Sequence, residues 1–261
     1  MTTSLLHAVT ELATIAGDEA NRYFRTGVAV ETKGDGSPVT IADRAAEKVA
    51  RDWIRARFPD DGILGEEFGL EKPEAPRRWV LDPIDGTRSF IHGVALWGTL
   101  VAIVEGETVL AGAVYAPPTR ELVAAARGRG AWFNGARTHV STTESLAQAT
   151  LLCTDSRFPG RPQRQSRWER LASASRIVRT WGDCYGYLLL ATGRAEIMVD
   201  DQMNPWDAAA VQVVVEEAGG HFTDFRGRAT AFGGDSIATN SALSTVVRDI
   251  LCPGGDPGLD A

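Results

Sequence analysis

Residues 79–90 read Trp79-Val80-Leu81-Asp82-Pro83-Ile84-Asp85-Gly86-Thr87-Arg88-Ser89-Phe90. The apolar run Trp79–Leu81 has the character of a buried strand, and it delivers Asp82 and Asp85 to its end. Gly86 and Thr87 follow at once, where a turn or a helix can begin. Burying charge here is costly unless something compensates it, and no basic residue stands between the two acids. Two carboxylates three apart suit hard cations, which want oxygen ligands. Free backbone N–H groups at a helix start suit an anion. Cations beside an anion suggest a metal-dependent phosphate site.

Working outward, the pattern on the N-terminal side is helical. Leu5, Leu6, Val9, Leu12, Ala13, Ala16, Ala20, Tyr23 and Phe24 recur at helical spacing, which predicts an amphipathic helix over about the first 25 residues. A Gly- and Pro-containing loop over 26–39 carries Lys33 and Asp35. Thr40 can cap a second helix that Pro59 stops, with Asp43 in its first turn. Gly62–Glu66 reads as a short strand, and 70–78 as a surface excursion. Beyond the motif, 97–104, 108–115, 121–126 and 130–133 are β-like runs separated by turn residues, implying a mostly antiparallel sheet. The polar stretch 141–147 is the best boundary between an N-terminal α+β half (1–145) and a C-terminal α/β half (146–252), in which strands and helices alternate. The tail 253–261, rich in Gly, Pro and Asp, is expected to be disordered.

Composition narrows the function. The 261 residues carry a net charge of −7 with no basic stripe, which disfavours a nucleic-acid partner. No apolar run approaches the ~20 residues of a membrane span, and the N-terminus lacks the pattern of a secretory signal. Cys153, Cys184 and Cys252 are too scattered for a zinc site or a disulfide framework, which fits a reducing cytoplasm.

Four segments place carboxylates where strands end or helices begin: Lys33–Asp43, Gly65-Glu66-Glu67, Asp82–Thr87 and Asn204-Pro205-Trp206-Asp207. Each has a plainer alternative. Lys33 and Asp35 can be solvated loop residues, and Glu66 and Glu67 a solvated strand end. Asp43 and Asp207 can merely complement a helix dipole.

Together, Gly65-Glu66-Glu67, the 79–87 motif, and Trp206-Asp207 followed by Glu217-Ala218-Gly219-Gly220 resemble the inositol monophosphatase superfamily of Mg-dependent phosphatases over nearly the whole chain. The resemblance implies an α/β (α+β) fold, a layered α/β/α/β/α sandwich of the inositol monophosphatase/fructose-1,6-bisphosphatase type, usually a homodimer. It implies two or three Mg²⁺ ions. Glu66, Asp82 and the Ile84 carbonyl would hold the first, and Asp82, Asp85 and Asp207 the second. The Gly86 and Thr87 N–H groups would meet the phosphate of a small phosphorylated metabolite. Thr87 and Asp43, as a hydrogen-bonded pair, would orient the attacking water, with Glu67 adjacent, and Lys33 and Asp35 would sit on a mobile loop.

For the leaving group, Trp181-Gly182-Asp183-Cys184-Tyr185-Gly186-Tyr187 and Asp-Gly-Thr-Arg-Ser-Phe-Ile from Asp85 resemble the histidinol-phosphate phosphatase branch. Asp183, Asp200 and Asp201 could pair with an ammonium and an imidazole, and the aromatic groups could stack. The plainer alternative makes Asp183 a helix cap and Asp200 solvated. A broader inositol monophosphatase-like enzyme and a regulatory binding protein on the same fold are the other readings. Arg161, Arg164 and Arg167 form the single basic cluster suited to a second phosphate, and they are expected on a solvated face.

Overall fold

In the computed structural model, which describes residues 2–158 and 161–255, the chain opens with helix α1 (Thr2–Asn21). Its apolar stripe of Val9, Leu12, Ala13 and Ala16 is buried. The helix ends earlier than its periodicity suggests. Tyr23 and Phe24 lie beyond it and pack instead with Phe90 and Trp97. The loop that follows folds into a hairpin, β1 (Val30–Thr32) against β2 (Pro38–Thr40). Helix α2 (Ile41–Arg57) then starts from the Thr40 cap. Ala42, Ala46 and Ala50 give it a smooth buried face that lets it lie close to α1 and the sheet.

Eight strands make the larger sheet. They are β3 (Gly62–Gly65), β4 (Gly69–Glu71), β5 (Arg77–Asp85), β6 (Gly98–Glu105), β7 (Thr108–Ala116), β8 (Glu121–Ala126), β9 (Ala131–Phe133) and β10 (Ala136–Thr138). Their order is β10-β9-β8-β7-β6-β5-β3-β4, antiparallel except where β3 and β5 run parallel. The stretch expected as a surface excursion therefore begins as an edge strand, and β10 is an addition to the sequence-based expectation. Between β5 and β6 comes the short helix α3 (Thr87–Ile91).

The second sheet has five strands: β11 (Thr150–Cys153), β12 (Ile177–Arg179), β13 (Ile197–Asp200), β14 (His221–Thr223) and β15 (Ser236–Thr239). Its order is β12-β11-β13-β15-β14, parallel through the first three and antiparallel after them. Four helices accompany it: α4 (Pro162–Ala174), α5 (Asp183–Ala191), α6 (Pro205–Glu217) and α7 (Ser244–Leu251). Pro253–Gly255 form a 3-10 turn after α7 rather than disordered chain; the rest of the expected disordered tail, 256–261, lies outside the described residues.

The packing gives five layers. Helices α1 and α2 cover one face of the large sheet, and α5 and α6 fill the space between the two sheets. Helices α4 and α7 cover the far side of the small sheet. Because α5 and α6 are buried on both sides, they are apolar nearly all round, as such helices must be. The approach of α6 to the large sheet is close: a Cβ at Gly112 of β7 would come within 2.8 Å of the Ala210 Cα. Among the described residues no helix is long and apolar enough to cross a membrane.

Candidate active site

Residues three apart on a regular strand point to opposite faces. Strand β5 breaks that rule. Its register against β6 shifts between Asp82 and Asp85, a bulge of the kind that re-aims side chains. Pro83 lacks a donor and suits the irregular position, and its carbonyl accepts the Thr99 hydroxyl at 2.7 Å. The shift lets Asp82 and Asp85 converge. Asp82, Asp85 and Asp207 each offer a carboxylate oxygen within 4.8 Å of the others. Asp82 also accepts the Ile84 N–H at 3.0 Å, and Asp85 accepts the Cys184 N–H from the start of α5. Gly86 has φ 86°, and a Cβ there would lie 2.9 Å from the Leu96 carbonyl and 3.0 Å from Asp183 Oδ2. Both conditions call for glycine.

Glu66 and Glu67 follow β3, whose parallel pairing with β5 sets Gly65 beside Leu81. Lys33, on the β1–β2 hairpin, reaches across to them, with its Nζ 2.7 Å from Glu66 Oε1 and 2.6 Å from Glu67 Oε1. Burial pulls the Lys33 ammonium down, but the two carboxylates outweigh it and raise it above its ordinary range. Asp35 stays at the exposed hairpin tip, bonded to the Ser37 N–H and hydroxyl.

The Glu66–Glu67 turn has a support that sequence reasoning missed. Glu47 is fully buried on α2. Its carboxylate accepts the Glu67 N–H at 2.7 Å, the Phe68 N–H at 3.2 Å and Arg51 Nε at 2.8 Å. It fills the space beside Gly65, where a Cβ would fall 2.0 Å from Glu47 Oε1. The available signal is its spacing: Glu47 lies one helical turn from Asp43 and from Arg51, on the buried face.

The expected pairing of Thr87 with Asp43 is not made. Thr87 begins α3, and its hydroxyl folds back to donate to the Ile84 carbonyl at 3.0 Å. Asp43 sits in the α2 capping box, where its Oδ2 accepts the Thr40 N–H and hydroxyl at 2.8 and 2.7 Å. Its Oδ1 is buried with no hydrogen-bond partner among the described residues. Asp207 makes the same kind of turn on α6, accepting the Asn204 N–H at 2.7 Å.

The electrostatics are those of anions crowded together. Burial raises the Asp82 carboxyl well above its ordinary value, and Glu66, Asp85 and Asp207 push it further. Asp85 is raised by burial and by Asp183 and Asp207, against the opposing Cys184 hydrogen bond. Asp207 is lifted by burial to about 6, against the Asn204 hydrogen bond and with Glu66 adding to the rise. Glu67 rises to about 7 because burial outweighs its Lys33 bond.

Next to the acids opens a cleft of about 340 Å³, lined by Glu66, Gly86, Thr87, Arg88, Thr154 and Asp183 among others. Asp183 is not a side-chain cap for α5; it is the first residue of that helix, in a left-handed conformation with φ 48°. Burial and the neighbouring Asp200 and Asp207 raise its carboxyl to about 7, with Arg88 opposing. Asp200 is buried rather than solvated. Its oxygens accept the Thr154 N–H at 3.0 Å and the Tyr187 hydroxyl at 2.8 Å. Asp201 is committed to Arg161 and Arg164, both at 2.7 Å, and Arg164 also meets Asp235 at 2.9 Å. Those arginines are therefore half-buried and neutralised by Asp201 and Asp235 rather than free on a solvated face. Of the segment's aromatic groups, Tyr187 is buried and Tyr185 bonds Glu121 at 2.6 Å, while Trp181 is exposed.

The donor set fits magnesium: hard oxygen ligands that converge, Asp82 buried and Asp85 and Asp207 half-buried, with no basic partner on Asp82 or Asp85 among the described residues. The raised carboxyls supply a test. A ligating carboxylate must be deprotonated, and Asp207, lifted to about 6, still carries part of a proton at that pH. Mg²⁺ binding is therefore expected to expel protons at about pH 6, and its affinity is expected to rise as pH increases through about 6. Calorimetry in buffers of differing ionisation enthalpy measures this directly; binding that is proton-neutral at pH 6 would contradict the site.

A sequence profile of the inositol monophosphatase family matches residues 1–251. A histidinol-phosphatase of Chlorobaculum parvum is 45% identical over 253 residues, covering 96% of each chain. A histidinol-phosphatase of Mycobacterium tuberculosis is 40% identical, covering 89% of this chain and 92% of its own. Among solved structures, an inositol monophosphatase from Zymomonas mobilis superposes with a TM-score of 0.84 at 33% identity, covering 94% of this chain and 96% of that one.

Proposed function

The chain belongs to the inositol monophosphatase family of phosphatases, and on that premise we propose that it is a Mg²⁺-dependent histidinol-phosphate phosphatase of the cytoplasm, acting as a homodimer. One observation carries the substrate: Asp183 stands on the cleft wall with its Oδ2 close beside Gly86. A phosphate on the Gly86 and Thr87 N–H groups would then have an anionic side chain next to its leaving group. Histidinol phosphate carries an ammonium and an imidazole, which such a carboxylate can pair with as a charge pair; a neutral inositol ring offers only hydroxyls and needs fewer acids. The relatives named histidinol-phosphatase support the same reading.

Glu66, Asp82, Asp85, Asp207 and the Ile84 carbonyl would hold the metal. Bound there, Mg²⁺ supplies Lewis-acid stabilisation of the phosphoryl and leaving oxygens and lowers the pKa of a bound water. The chain's own part is positioning, which phosphoryl transfer chiefly needs. The bulge of β5 fixes the acids, and Gly86 lets the backbone approach the phosphate. Asp43 Oδ1, buried and without a hydrogen-bond partner among the described residues, would accept from the attacking water, with Thr87 leaving the Ile84 carbonyl to join it. Lys33 holds Glu67 beside them. A bisphosphate substrate is disfavoured, because Arg161 and Arg164 are already paired.

A substrate panel at fixed Mg²⁺ tests the proposal. We expect kcat/KM for L-histidinol phosphate to exceed that for inositol 1-phosphate by about tenfold or more, the worth of one well-placed charge pair. The reverse order would sink it.

A further inference from the structure

Thr154, just past the C-terminal end of β11, joins Asp183, Asp200 and Gly182. Its side-chain oxygen accepts the Asp183 N–H at 2.8 Å. Its own N–H donates to Asp200 Oδ1 at 3.0 Å. Gly182 packs on its backbone so closely that a Cβ there would sit 2.3 Å from the Thr154 Cα. Thr154 also lines the main cleft together with two smaller cavities beside it, one walled by Asp155, Arg157 and Asp201, the other by Asp85, Tyr187 and Asp207. Among the described residues it is the one common to all three.

Asp183 needs such a partner. A non-glycine residue in the left-handed region is disfavoured unless its surroundings hold it there, and Asp183 has φ 48°. It is also the first residue of α5, so its N–H has no acceptor within the helix. The Thr154 hydroxyl provides that acceptor, and the crowding of Gly182 against Thr154 fixes the preceding peptide. The carboxylate direction follows from this backbone, which places Asp183 Oδ2 near Gly86 and over the cleft.

We infer that Thr154 is a specificity-positioning residue: its hydroxyl holds Asp183 in the conformation that presents a carboxylate to a cationic leaving group. The inference rests on the histidinol-phosphate reading. A residue that merely capped α5 would support every substrate equally, whereas one that aims Asp183 matters most to a substrate with a cation to pair.

Steady-state kinetics of wild type, Thr154→Val, Thr154→Ser and Asp183→Asn on L-histidinol phosphate and inositol 1-phosphate separate these roles. For Thr154→Val the ratio of kcat/KM values, histidinol phosphate over inositol 1-phosphate, is expected to drop about tenfold, chiefly through KM. Thr154→Ser should restore the ratio, and Thr154→Val should add little to Asp183→Asn. Thr154→Ala serves if the valine variant does not fold. An unchanged ratio in the hydroxyl-free variants, with wild-type preference intact, overturns the inference alone. A wild type with no preference for histidinol phosphate overturns the substrate reading, and the inference with it.

Discussion

Asp82→Asn is expected to lose about three orders of magnitude in kcat while the metal-free protein becomes more stable. The first effect follows from the several kcal/mol of charge stabilisation that a bound metal contributes, at about 1.4 kcal/mol per tenfold. Asp82 stands centrally, with carboxylate oxygens of Asp85 and Asp207 close by. The second effect follows from the sign of its shift. Its folded pKa lies well above the ordinary value, with burial first and Glu66, Asp85 and Asp207 next as causes. The folded state therefore binds more protons than the unfolded one as pH rises from about 4, and stability falls over that range. The penalty grows as pH rises towards the folded pKa, and asparagine removes it. A neutral amide in its place avoids the desolvation of the charge and its repulsion by the neighbouring carboxylates. Thermal unfolding in EDTA should show a higher Tm for the variant at pH 7.5 and a smaller gain at pH 5. Added Mg²⁺ should raise the wild-type Tm and leave the variant's nearly unchanged. A variant less stable than wild type in EDTA at both pH values would contradict the electrostatic account.

Glu47→Ala should behave in the opposite way, losing stability first and activity as a consequence. It leaves the buried Arg51 without its closest carboxylate and strips the Glu67 and Phe68 N–H groups of their acceptor. Breaking one side of a buried pair costs about 3–5 kcal/mol. Denaturant unfolding measures that loss. Because Glu47 holds the turn that presents Glu66 and Glu67, the folded fraction should also bind Mg²⁺ more weakly. Glu47→Gln, which keeps an acceptor oxygen, should fall between the two. An alanine variant with wild-type stability would show that the turn is held by something else.

The sequence is most legible where local rules act alone. The run into Asp82 and Asp85 could be read as a strand end because apolar residues precede the acids and glycine follows. What made the two acids converge was less visible, since the bulge depends on how β6 registers against β5. Thr40 and Asp43 could be placed at a helix start, but their bonding to each other left Thr87 to find the Ile84 carbonyl. The role of Glu47 is hidden because the two N–H groups it holds are 20 and 21 residues away, brought near by the packing of α2 on the large sheet. Arg161 and Arg164 looked solvated because Asp201 and Asp235 reach them only through the fold, across 37 to 71 residues. Strands β10 and β14, with three residues each, are too short to carry a period and exist through their neighbours.

Phosphate release from L-histidinol phosphate by the metal-stripped protein, titrated with Mg²⁺, decides whether the protein is a Mg²⁺-dependent histidinol-phosphate phosphatase. No turnover is expected in EDTA, with a saturable recovery as Mg²⁺ is added. Turnover that persists undiminished in EDTA, or that never appears at any Mg²⁺ concentration in a folded protein, would contradict that reading.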